Sequence, residues 1–112
     1  MTDQEIKTEP EATSDESFAV TLSKPIPVFD EKVSVLKFRK PTAADIIQIG
    51  NPVLFDPISD PPRVEHHAQR MTAMMARLSG VPASSLARME TDDWIACAWE
   101  LSPFFIPRRA RI

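Results

Sequence analysis

The hydrophobic pattern divides the chain into short elements. Ala19-Val-Thr-Leu-Ser23 is apolar and β-branched, as a strand requires, and Pro25 and Pro27 are expected to stop it from continuing as a central strand. From Val33 to Arg39 apolar and polar residues alternate, which predicts a second strand with Leu36 and Phe38 inward and Lys37 and Arg39 toward water. Phe29 to Lys32 then forms the turn of a hairpin. Thr42 and Asp45 have the spacing of a capping box, predicting a helix over 43–49 that stops at Gly50 in a left-handed conformation. Four prolines in 51–62 predict an irregular loop, packed through Val53, Leu54, Phe55 and Ile58. Val64, Ala68, Met71, Met75 and Leu78 trace one face of a helix over 63–79, closed by Gly80. Ser84 or Ser85 opens a short turn through Leu86 and Met89. A last helix starts at the cap Thr91 and runs toward Phe105, with Trp94, Ile95, Ala98, Leu101 and Phe105 as its stripe and Pro103 as a kink or stop. The fold class expected is a small single α+β domain: an N-terminal β-hairpin followed by three or four short helices.

Charge adds a boundary to this picture. Residues 1–17 carry six acids against Lys7 alone, a balance of -5, while the rest of the 112-residue chain carries ten acids and twelve bases. With Ile6 as its one large aliphatic, the leading stretch buries too little to offset its ordering entropy and reads as a disordered acidic arm. It serves as a solubilising tail or as an arm shielding a binding face. The domain is expected over 18–106, and 107–112 forms a basic tail with three arginines.

Candidate chemistry is sparse. Cys97 is the single cysteine and lies between alanines in an apolar helix, the setting of a small buried hydrophobe. His66 and His67 are adjacent, so on a helix their rings diverge, and a solvated face is expected rather than a metal site. Asp92 and Asp93 are accounted for by the positive end of a helix. Two glycines hardly suffice for a phosphate-binding loop, and there is no nucleophile elbow. No enzyme activity, metal or cofactor is expected. No apolar run reaches the ~20 residues of a membrane span, and the acidic start lacks the regions of a signal peptide. Nucleic acid is not the expected partner, because the short second helix of a helix-turn-helix reading over 64–90 offers only Arg88 as a base.

Met71, Met74, Met75 and Met89 cluster near Trp94 and Trp99. They are either core or, given methionine's adaptable side chain, the lining of a groove for apolar helices.

The order of pieces resembles the phage tail assembly chaperones of contractile-tailed phages. Leu22, Pro25 and Ile26 stand where that family has L-x-P-I. Leu36, Phe38, Arg39, Pro41, Thr42 and Asp45 follow its second strand and first helix, and Leu78-Ser-Gly-Val-Pro82 is similar to its L-[TS]-G-[LV]-P element. Leu86 and Thr91-Asp-Asp-Trp94 match its ending, so the likeness covers about residues 18–102. The resemblance implies a phage or prophage chaperone acting in the host bacterial cytoplasm and absent from the mature virion. It would bind and solubilise the tape measure protein before the tail tube polymerises, with tube subunits as further partners and homo-oligomers an open possibility. A groove between helices 63–79 and 91–105 is the expected site, with Met71, Met75, Leu78, Trp94 and Phe105 as contacts. The alternative is a small DNA-binding or regulatory helical domain, its arginine tail meeting phosphates or the acidic arm.

Overall fold

The computed structural model describes residues 17–106. The acidic arm, apart from Ser17, and the arginine tail lie outside the described residues. Strand β1 (Phe18–Val28) pairs antiparallel with β2 (Glu31–Phe38) across a two-residue turn, Phe29-Asp30. Helix α1 (Ala43–Ile49) follows. A second antiparallel hairpin comes next, β3 (Val53–Asp56) with β4 (Arg63–His66). Helices α2 (Ala68–Ser79), α3 (Ala83–Leu86) and α4 (Thr91–Leu101) follow, and a 3₁₀ turn over Ser102–Phe104 is the last element among the described residues. The α+β class is as expected.

The two hairpins belong to separate two-stranded sheets. One core joins them to the helices. Leu22, Ile26, Leu36 and Phe38 of the first hairpin meet Met71, Met74, Met75 and Leu78 of α2, Leu86 of α3, and Cys97, Ala98 and Leu101 of α4.

β1 is longer than its prolines suggest. Its register runs from Phe18↔Phe38 to Thr21↔Val35, breaks, and resumes at Ile26↔Val33. Leu22, Ser23, Lys24 and Pro25 therefore oppose Ser34 alone. Pro25 falls inside this bulge, where no ladder bond is asked of it, and neither strand is central in a two-stranded sheet. The three extra residues also move the inward face of β2 from Leu36 and Phe38 to Val33, which keeps Ile26 and Val28 in the core.

The second hairpin replaces both the expected loop and the start of the expected helix. Asp56 turns the chain by accepting from the Ile58 and Ser59 amides, at 3.0 and 3.4 Å. Val64 sits on β4 opposite Phe55, so its helical spacing to Ala68 is coincidental. His67 is the N-cap of α2, its Nδ1 accepting from the Arg70 amide at 3.3 Å, and it fixes the helix start at Ala68.

Three other ends differ in detail. Gly50 has φ 96° and ψ 162°, a positive-φ stop outside the left-handed helical region and open to glycine almost alone. Glu90 rather than Thr91 precedes the first residue of α4. That helix ends at Leu101, not Phe105, with Pro103 in the first turn of the 3₁₀ segment.

Candidate partner-binding surface

The five expected contact residues do not line an open groove. Met71 and Met75 have no exposed surface, and Leu78 and Phe105 are buried at 4% and 5%. Only Trp94 is half-buried. Its indole Nε1–H donates to Thr72 Oγ1 at 2.9 Å, and that hydroxyl in turn donates to the Ala68 carbonyl. Trp94 thus ties α4 to α2 and closes the space where a groove was expected. Methionine at helical spacing here is core.

The apolar surface lies on the other side of α4. Ile95 and Trp99, one turn apart, are exposed at 42% and 52%. Both belong to an apolar helix too broad for one face: Cys97, Ala98 and Leu101 take the core and leave Ile95 and Trp99 outside. Their spacing of four makes them neighbours on the helix, but which side of this apolar helix faces outward is decided by the packing. His66 completes it from β4. Its ring lies 4.8 Å from Trp99 and 6.5 Å from Trp94, edge-on to both.

His66 is therefore not on a solvated helix. Its Nε2 is 2.7 Å from Ser102 Oγ, and Ser102 Oγ donates to the Ala98 carbonyl at 2.7 Å. With its proton so committed, the hydroxyl accepts from His66, which places the imidazole hydrogen on Nε2. Burial holds the His66 pKa below its ordinary value and keeps the ring neutral near pH 7. A neutral imidazole set edge-on to two indoles forms part of the wall of this face.

Two buried carboxylates join the elements of the domain, and one of them anchors α4 itself. Asp93 is 6% exposed and does more than complement the start of α4. It accepts from the Ser23 amide at 2.9 Å, from Ser23 Oγ at 3.0 Å and from the Lys24 amide at 3.3 Å. These amides are the ones the β1 bulge takes off the ladder, so one side chain answers the bulge and docks α4 on the first hairpin. The Ser23 amide and hydroxyl with the Lys24 amide hold the Asp93 carboxyl below the usual carboxylate range.

Asp45 is 1% exposed and receives Arg39 as a fork, Nη1 to Oδ2 at 2.9 Å and Nη2 to Oδ1 at 2.8 Å. Arg77 Nε of α2 also donates to Oδ1, and the Thr42 amide donates to Oδ2 at 2.8 Å. Arg39 thus turns to Asp45 rather than simply to water. The Arg39 guanidinium, then Arg77 and the Thr42 amide, hold this carboxyl far below its ordinary range. Cys97 is buried as expected, its thiol pushed up to about 11 by burial and by the charges of Asp93 and Glu100. Among the described residues, no group of three His, Cys, Asp or Glu side chains is placed to hold a metal ion. No helix there is long and apolar enough to cross a membrane.

Residues 19–106 match the family model described as "Phage tail assembly chaperone proteins, E, or 41 or 14". The chain belongs to this family. The match takes in both hairpins and all four helices, so the bulge, the two carboxylate junctions and the Ile95–Trp99 face all lie within the family domain. No curated protein and no solved structure matches the chain. The role is that of a tail assembly chaperone, and the partners are phage tail proteins.

Proposed function

We propose that this chaperone binds the tape measure protein in the host cytoplasm and keeps it soluble until tail tube subunits polymerise around it. It would then be released rather than built into the virion. The observation that carries this reading is an exposed Ile95–Trp99 face, backed by His66 and Trp94, in a family of tail assembly chaperones. A long helical rod awaiting its sheath presents apolar stripes that aggregate, and a partner helix laying such a stripe on α4 removes them from water. Met71, Met75 and Phe105 are buried and would meet the partner only if the core opened, while Leu78 lies on the side of α2 that meets Phe38 and Arg39 of the first hairpin. In this reading the domain is 18–106, flanked by the acidic arm 1–17 and the basic tail 107–112, and tube subunits are second partners.

Calorimetric titration with apolar helical segments of the tape measure protein from the same phage tests it. Ile95→Ala and Trp99→Ala should each weaken binding about tenfold, the ~1.4 kcal/mol expected for truncating a contact in a buried apolar interface. Circular dichroism should show both variants folded, since both side chains are on the surface. Unchanged affinity in both variants would remove α4 from the site. Salt-steep binding to random duplex DNA without affinity for those segments would favour the DNA-binding alternative.

A further inference from the structure

The first hairpin carries an apolar knob at one end and an apolar hole at the other. Phe29 is the first central residue of its two-residue turn, with φ 57° and 82% of its surface exposed. Glycine, asparagine or aspartate normally occupies such a position, because a side chain at positive φ crowds the backbone. A bulky aromatic there is unfavourable for the turn and unfavourable in water. Among the described residues neither cost is offset by a contact of the ring, which is left 82% exposed.

At the open end of the same hairpin is a pocket of about 550 Å³ whose lining includes Phe18, Phe38 and Leu78 together with Lys37 and Arg39, beside Ser17 and Ala19. Phe18 lies 5.5 Å from Phe38 and stacks on Phe104 at 5.7 Å, so the wall is aromatic. The charges are complementary. Asp30 and Glu31 directly follow Phe29, with Lys32 the one base beyond them. Lys37 and Arg39 are basic, and of these Arg39 is already paired to Asp45. The eight residues of β2 span the hairpin from tip to pocket, roughly 23 Å at strand rise. Phe29 therefore cannot reach the pocket of its own copy.

We propose that copies of this chain associate head to tail, Phe29 of one copy seated in the Phe18–Phe38–Leu78 pocket of the next, with Asp30 and Glu31 against Lys37. Such a contact is heterologous: each copy keeps one free tip and one free pocket, so copies form a ring or an open row. Phe29 supplies the buried anchor, and the acidic and basic lips set its polarity. This proposal is independent of what the Ile95–Trp99 face binds.

Sedimentation velocity of the full chain over a concentration series tests it. The parent chain should show species larger than a dimer as concentration rises. Phe29→Asn removes the ring while placing at positive φ a residue that tolerates it, so the turn is kept and association should fall at least tenfold. Lys37→Glu, on the pocket side, should do the same. The decisive sample mixes the two variants. Lys37→Glu has an intact tip and Phe29→Asn an intact pocket, so together they should form a heterodimer and stop there. A tip-to-tip contact would let Lys37→Glu pair with itself, with or without Phe29→Asn present, and would overturn the proposal. So would a parent chain that stays monomeric at every concentration, its pocket filled by the acidic arm or by nothing. Binding of tape measure segments by Phe29→Asn at parent affinity would leave the proposed function standing whichever result is obtained.

Discussion

Asp45→Ala will lower the unfolding free energy by about 2–3 kcal/mol, enough to shift the melting temperature of a domain this size by roughly 10–20 °C. Removing one member of a buried ion pair usually costs about 3–5 kcal/mol, because its partner is left uncompensated. The figure is lower here because Arg39 and Arg77, 48% and 38% exposed, can turn to water. What is lost is the joint between β2, α1 and α2: the forked bond from Arg39, the bond from Arg77 and the capping bond to the Thr42 amide. Thermal melts of Asp45→Ala and Asp45→Asn check this. Asparagine keeps one acceptor oxygen but no charge and should fall between parent and alanine. The same carboxylate sets an acid limit. Its folded pKa lies below its unfolded one, so its contribution is complete above about pH 4 and fades as pH falls below that toward the folded pKa. Asp93 acts in the same direction.

Asp93→Ala will cost about 2 kcal/mol and will act at a distance from its own helix. Three donors on Ser23 and Lys24 lose their acceptor together. Both residues are exposed enough for water to replace part of the loss. The clearest readout is amide exchange: the Ser23 and Lys24 amides, protected in the parent, should exchange faster by at least tenfold while Val20 and Leu36 keep their protection. Equal acceleration across the whole hairpin would mean that Asp93 stabilises only the fold, not the bulge.

The legible parts of this fold were those written in local chemistry. Leu36 and Phe38 alternate with charged neighbours, and both are in the core. Thr42 and Asp45 mark the start of α1, and its span is 43–49 as their spacing predicts. Gly80 closes α2 in the left-handed conformation with φ 77°. The second hairpin was illegible for a physical reason. Its strands are four residues each, and Val64 happens to fall one helical step before Ala68, so pattern alone favours the helix. Only the pairing of Val53 with His66 decides otherwise, and that is a long-range fact. Asp93 was misread on similar grounds. A carboxylate at a helix start needs no other reason, and its true partners are 70 residues away. Among the surface residues, methionine spacing pointed inward to Met71 and Met75, while Ile95 and Trp99 were hidden inside an apolar stripe whose inward side only the packing reveals.

The role proposed for this tail assembly chaperone is to keep the tape measure protein soluble through the outer face of α4. The most direct measurement is the soluble fraction of that protein, expressed in bacteria alone, with the parent chain, and with the double variant Ile95→Asp/Trp99→Asp. The tape measure protein should be mostly insoluble alone, recovered into the supernatant with the parent chain, and not recovered with the folded double variant. Equal recovery with parent and double variant would contradict the α4 face, and no recovery with either would contradict the tape measure protein as partner.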